Sequence, residues 1–353
     1  MKNIAIIYHD ADFDGKLSNE VCRYFLEREH PKASVHSYGW DYGRPVPTPK
    51  LTHQLDHNPN EPVRAEWALY DAIYIVDLSV DGLMARPELR DKIVWIDHHK
   101  SAIEKWDKQT FGRPENDGGP EYALTPFKGI RIDGVAACRL CWAWFTWDKL
   151  PKGVLPSKQD TIEPLTKEVF VSRRIKEPYL IRLAGEYDIW DHRDPDAKVL
   201  QFGLRTLSNA QLRDLCEEEF IDVLEHEITT GAPSLWEIIG GGRAIKEYCD
   251  KQNDEYSAAY SHTIMFEGLT FCALNTGQRG NSDLLKGGIK PEHDACFAWR
   301  YTGNDNMVMV SLYHIAGKEH HDLSKIAVKY GGGGHKGACG FRVTLMELEE
   351  ILD

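Results

Sequence analysis

Residues 92–100 read KIVWIDHHK. Ile93 to Ile96 is a short apolar run rich in β-branched and aromatic side chains, the pattern of a buried strand. It stops abruptly at Asp97, His98, His99 and Lys100. Two other runs end in the same manner: NIAIIYH (3–9) leads into HDADFDG (9–15), and AIYIV (72–76) leads into Asp77. After the first run, Leu17, Val21, Tyr24, Phe25 and Leu26 recur at helical spacing, and a second helix is expected over 133–148. Strands alternating with helices predict an α/β fold with a mostly parallel sheet flanked by helices. In such a sheet ligands bind outside the carboxyl ends of the strands. The three polar clusters should therefore meet on one edge. Taken singly each has a plainer reading, as a helix cap or a solvated turn residue; together they point to a metal site.

The bulk numbers fit this reading. A chain of 353 residues has room for two domains. With 42% hydrophobic and 27% charged residues it is globular. The apolar stretch from Ile4 to Tyr8 is too short for a signal peptide, and no run approaches the ~20 apolar residues that span a bilayer. A cytoplasmic protein with no membrane partner is expected. The eight scattered cysteines are expected as reduced thiols, and Cys138 and Cys141 read as part of a buried helix rather than half of a zinc site. The formal net charge of −13 argues against a general electrostatic grip on long duplex nucleic acid. A small anionic substrate held at a local site remains.

Crowded carboxylates repel one another unless a cation compensates them. A mixed set of Asp and His suits Mn²⁺, with Mg²⁺ or Co²⁺ as alternatives. The number of carboxylates suggests two ions, ~3.5–4 Å apart, sharing a carboxylate and a water, an arrangement that makes hydroxide at neutral pH and aims it at phosphorus.

HDADFDG, VDLS and IDHHK, in that order, resemble the first three motifs of the DHH phosphoesterase superfamily. YLIRLAGEYDIWDH (179–192) is similar to the segment that supplies a fourth motif, with Asp188 the matching carboxylate and Asp191 the fallback. KYGGGGHKGACGF (329–341) resembles the glycine-rich signature of the DHHA1 domain that follows the catalytic domain in many members. The resemblance covers nearly the whole chain apart from a linking region. It implies a DHH catalytic domain over 1–205, a helical linker over 206–260 and a smaller α/β DHHA1 substrate-binding domain over 261–353, with the active site in the interdomain cleft. Segments 107–130 and 151–170 read as irregular insertions.

Carried over residue by residue, the resemblance implies that His9, Asp12 and Asp77 hold one ion, and that Asp14, Asp77, His98 and Asp188 hold the other. Asp10 is the alternative to Asp12 in the first motif. Asp97 is implied to fix the ring of a neighbouring histidine, and His99 to contact the scissile phosphate or protonate the leaving oxygen. Lys100 either adds charge beside the phosphate or is simply solvated. Gly331 to Gly334 read as a flexible turn or as a backbone cradle for an anion. His335 and Lys336 beside them favour the cradle, so Gly332, Gly333, Gly334 and His335 are expected to bind substrate. His320 and His321 read as a solvated loop, and Arg279 and Arg300 as weaker candidates for gripping phosphate.

The expected activity is a metal-dependent phosphohydrolase acting on short oligonucleotides or nucleotides. The alternatives are a pyrophosphate or polyphosphate hydrolase and a non-catalytic nucleotide sensor. A homodimer is allowed for.

Overall fold

The computed structural model describes residues 2–53, 64–107, 127–146, 166–172, 175–191, 193–225, 234–277, 282–303 and 306–352. Most of both expected insertions, and Arg279, lie outside the described residues. The chain divides into two compact units, Met1–Arg243 and Ala244–Asp353.

In the first unit the strands are β1 (Asn3–His9), β2 (Ser34–Trp40), the two-residue β3 (Thr52–His53) and β4 (Arg64–Ala65), β5 (Ala72–Val76) and β6 (Ile93–Ile96). The helices are α1 (Phe13–Glu29), α2 (Asp81–Met84), α3 (Lys100–Asp107), α4 (Ala137–Thr146), α5 (Lys167–Ser172), α6 (Tyr179–Asp188), α7 (Pro195–Leu204) and α8 (Asn209–Glu225). A long α9 (Leu235–Tyr260) runs across the division between the units.

The main sheet has four strands in the order β2-β1-β5-β6, and every pairing is parallel. Each face is covered. Ile4 and Ile6 pack with α1, α4 and α6 residues such as Leu17, Trp142 and Leu183. Ala5 and Ile7 face the other way, with Ile73, Ile75 and Trp95. Burial on both faces explains why β1, β5 and β6 read as continuous apolar runs. Beyond β6, residues 127–132 run alongside its free edge, where Trp95 N donates to Lys128 O at 2.7 Å and Asp97 N to Ile130 O at 3.2 Å.

Register sets the site. His9 pairs with Trp40, Tyr8 with Val76, and Val76 with Ile96. The next residues along the other three strands are Asp41, Asp77 and Asp97. One sheet edge thus collects His9, Asp77 and Asp97 at one level, with Asp41 one residue beyond it. Helix α1 comes back tightly onto β1, and Gly15 makes this possible: a Cβ there would lie 2.0 Å from the His9 carbonyl oxygen.

The second unit contains β7 (His262–Phe266), β8 (Leu269–Asn275), β9 (Ala295–Tyr301), β10 (Met307–His314), β11 (Gly333–His335) and β12 (Ala338–Thr344), with α10 (Leu323–Lys329) and α11 (Leu345–Leu352). Its six strands lie in the order β11-β12-β10-β9-β8-β7, with only β8 and β9 parallel. Part of the glycine run has a local task. Gly331, at φ 75°, closes α10, and the amides of Gly331 and Gly332 donate to Val328 O and Ala327 O at 3.0 and 2.8 Å. The rest is not a free loop: Gly333 to His335 pair with Ala338 to Gly340 as an exposed hairpin.

All eight cysteines are free, and Cys138 and Cys141 are buried within α4. Among the described residues no helix is long and apolar enough to cross a membrane.

The Gly15 contact is testable. Gly15→Ala should destabilise the protein by about 1–3 kcal/mol, because the obstacle is backbone and cannot swing away. Urea unfolding measures this, and an unchanged midpoint would show that α1 does not sit so close to β1.

Candidate functional site

Each side chain at the sheet edge has an identifiable support. Asp12 is the N-cap of α1, and its Oδ1 accepts from Gly15 N at 3.0 Å. Asp14, buried in the first turn of α1, accepts from Ala137 N and Cys138 N at 2.8 Å each and so caps α4 from a distance of 123 residues in sequence. Asp77 leaves β5 in the left-handed region, φ 61°, a strained conformation for a non-glycine residue. Asp97 is fully buried, and its Oδ1 accepts from His98 N (2.7 Å), His99 N (3.1 Å) and His99 Nδ1 (2.7 Å). It therefore shapes the turn after β6 and aims the His99 ring. Asp188 is the last residue of α6.

These supports bring two donor sets together. In one, His9 Nδ1 lies 3.1 Å from Asp12 Oδ2 and 3.5 Å from Asp77 Oδ2. In the other, His98 Nε2 lies 3.6 Å from Asp14 Oδ2, 3.3 Å from Asp77 Oδ1 and 3.3 Å from Asp188 Oδ2. The two oxygens of Asp77 thus face opposite partners. His9, Asp12 and Asp77 form one group with the spacing of cation ligands, and Asp14, His98 and Asp188 form another.

Asp10 is not among them; its carboxylate lies 3.8 Å from Lys16 Nζ. Asp191 is also elsewhere, paired with Arg193 at 2.6 Å. Lys100 is exposed at the start of α3. His321 lies 3.8 Å from Asp294, and no cation-type group forms around His320 and His321 among the described residues.

The electrostatics follow from crowding. Burial raises Asp77 well above the usual carboxylate range, and neighbouring Asp14 adds to the effect. Burial, then Asp14, pushes Asp188 up to about 9. Burial opposes charge on His9, but Asp12 and Asp77 outweigh it and push the imidazole up to about 11. His99 is likewise disfavoured by burial, yet Asp97 lifts it above its ordinary value.

The donor set fits a divalent cation. His9 Nδ1, both Asp77 oxygens and Asp188 Oδ2 are buried without a hydrogen-bond partner, although they lie close together. Orphaned buried polar atoms are rare unless something compensates them. Here the unsatisfied atoms converge.

The sequence reading missed two residues of the site, both following β2. Asp41 Oδ1 lies 3.4 Å from His9 Nε2, on the side of the ring opposite Asp12 and Asp77. A carboxylate there claims the Nε2 proton and leaves Nδ1 to act as a ligand. Tyr42 sets its ring edge-on to His9, at 6.1 Å and 62°, and its hydroxyl accepts from Ser79 N at 3.0 Å. The available signal was WDYG at 40–43, a fourth strand end carrying a carboxylate.

No family model matches the chain, and no curated protein matches it. Solved structures do. A pGpG-specific phosphodiesterase, PggH, from Vibrio is similar at 13% identity and a TM-score of 0.46, over 99% of this chain and 96% of that one. An exopolyphosphatase-related protein from Bacteroides fragilis is similar at 12% identity and a TM-score of 0.43, over 99% and 90% of the two chains. The exonuclease RecJ bound to manganese is similar at 14% identity and a TM-score of 0.42, over 99% and 88%. At such values the reading of function is left to the site itself.

Two outcomes are expected. Asp41→Ala should weaken Mn²⁺ binding roughly 10–100-fold in calorimetry while the unfolding midpoint holds; unaltered affinity would mean that Asp41 does not orient His9. The second concerns pH. Asp188 at about 9 and His9 at about 11 both lie above their ordinary values, so the folded, EDTA-stripped protein holds more protons than the unfolded chain near neutrality. Its melting temperature should fall as pH rises from 7 to 9 on this account. Saturating Mn²⁺ takes the place of those protons and should flatten or reverse the fall.

Proposed function

We propose that this protein is a divalent-cation-dependent phosphohydrolase that cleaves phosphoester bonds in short oligonucleotides or (di)nucleotides. The observation that carries the reading is the convergence of His9, Asp12, Asp14, Asp77, His98 and Asp188 at one sheet edge, with buried donor atoms that no hydrogen bond satisfies. His9, Asp12 and Asp77 would hold one ion, and Asp14, Asp77, His98 and Asp188 a second, with Asp77 common to both. Mn²⁺ suits this oxygen and nitrogen set, and Mg²⁺ or Co²⁺ are alternatives. Such ions supply Lewis-acid polarisation of a phosphoryl oxygen and lower the pKa of bound water.

The chain's own groups supply positioning and a proton. Asp97 holds His99 Nδ1 at 2.7 Å, so the other ring nitrogen is the one left to face a substrate. The lifted His99 pKa favours its protonated form, suited to give a proton to the leaving oxygen. Lys100, exposed directly after His99, and the exposed residues Gly332, Gly333, Gly334 and His335 are the proposed phosphate contacts. The net charge of −13 favours short substrates, whose few phosphates one local site can neutralise.

The test is a panel with Mn²⁺: a dinucleotide, a longer oligonucleotide, adenosine 3′,5′-bisphosphate, a cyclic dinucleotide and pyrophosphate, with His98→Ala as control. Turnover of one or more nucleotide substrates should be lost in the control. His99→Ala should lower kcat ~10²–10⁴-fold while Mn²⁺ affinity holds. Cleavage of pyrophosphate alone would move the substrate class to phosphoanhydrides. No turnover with Mn²⁺ bound would point to a nucleotide sensor.

A further inference from the structure

Tyr42 follows β2 and is 50% exposed, yet its side chain is fixed at three points. The ring meets Trp40 edge-on at 5.4 Å and 63°, and His9 at 6.1 Å and 62°. The hydroxyl oxygen accepts from Ser79 N at 3.0 Å. In the sheet, β2 and β5 lie on either side of β1, so they run about 9–10 Å apart. A side chain that follows β2 and reaches a residue after β5 must cross the end of β1, where His9 sits. Tyr42 therefore lies across the sheet edge beside His9, and its hydroxyl is held by the residue two past Asp77.

Packing accounts for the ring, and the Ser79 amide accounts for a lone pair of the oxygen. Neither accounts for the hydroxyl proton. Phenylalanine would lie against His9 and Trp40 equally well. Among the described residues no hydrogen bond takes that proton. It is nonetheless in place at neutral pH. Burial is the main reason the phenol is held above its ordinary pKa; Ser79 works against the rise, and nearby Asp97 and Asp77 add to it. The sheet edge thus carries an O–H donor, beside its carboxylates, whose proton is uncommitted.

A phosphate bound at this edge presents oxygens that need donors wherever the cations do not reach them. At the β6 end His99 is placed to serve one of them. At the other end, Lys16 is drawn to Asp10 at 3.8 Å, whereas the Tyr42 O–H is open. We propose that Tyr42 donates a hydrogen bond from its hydroxyl to a phosphoryl oxygen of the substrate, a role that rests on the phosphohydrolase reading above. The bond from Ser79 N fixes the oxygen, and so limits the directions in which the proton can be offered. The proton stays on the phenol throughout. Any phosphoryl group can accept such a bond, so Tyr42 adds grip on phosphate without reading a base.

The experiment measures Mn²⁺ binding, and then binding of inorganic phosphate to the Mn²⁺-loaded full chain, by calorimetry. Wild type and Tyr42→Phe are compared at a temperature where thermal melts show both folded. Tyr42→Phe keeps the ring and removes only the hydroxyl. It should bind phosphate roughly 10- to 150-fold more weakly, the range that a hydrogen bond to a charged group supports, with Mn²⁺ affinity unchanged. Equal phosphate affinity would overturn the proposal alone. So would a matching loss of Mn²⁺ affinity, which would make the hydroxyl a brace for the ligands. A Raman difference spectrum of wild type, with and without phosphate, needs no variant. The tyrosine ring doublet reports whether a phenol donates or accepts, and phosphate should shift it towards a donating phenol; an unchanged doublet would overturn the proposal. If the Mn²⁺-loaded wild type binds no phosphate, the phosphohydrolase reading falls as well.

Discussion

Like charge held out of water is the constraint around which the first unit is arranged. Asp14 and Asp77 are 3% and 1% exposed, and both crowd His98 together with Asp188. Nothing in their mutual electrostatics draws these carboxylates together. Backbone structure does so instead. Parallel register levels the ends of β1, β5 and β6, Gly15 lets α1 close on β1, and a left-handed turn directs Asp77 sideways. The apolar packing on both faces of the sheet outweighs these local costs. A divalent cation would turn the repulsion into attraction, which is why the donor set and the fold make sense together.

The divisions of labour within the site are sharp. Asp97 touches three donors of its own turn and none of the opposite donor set, so it builds rather than binds. Asp77 does the reverse, offering one oxygen to each side. Asp41 and Tyr42 follow the edge strand β2 and act on the far side of His9. Four parallel strands therefore contribute, one outward-facing support and three inward-facing ligands or braces.

Most of this was legible in the sequence because buried parallel strands announce themselves. β1, β5 and β6 are unbroken apolar runs, and each gives way to Asp or His at the residue where the sheet stops. β2 escaped notice for a physical reason. It is an edge strand, SVHSYGW, largely half-buried, and its mixed polarity carries no strong period. Missing it also hid Asp41 and Tyr42. Asp12 and Asp10, alternatives in one dimension, are separated by capping geometry: Asp12 points back to Gly15, whereas Asp10 turns towards Lys16. The closing role of Gly331 was hidden for a different reason, since a glycine that ends a helix and one that cradles an anion look alike in one dimension. The docking of Asp14 on Ala137 and Cys138 could not be read at all, because the partners are joined only by the folded chain.

That last contact gives the site a second character. The carboxylate that would ligate an ion is the same one that terminates α4, and α4 carries Trp142, Trp144 and Phe145 into the core. Whatever occupies the sheet edge therefore competes for, or reinforces, the lone pairs that fasten this aromatic block. Occupancy and core rigidity become two readings of one equilibrium. Solvent exchange of the Ala137 and Cys138 amide protons then serves as an internal gauge of whether the site is filled, registered some distance along the fold from where any substrate would lie.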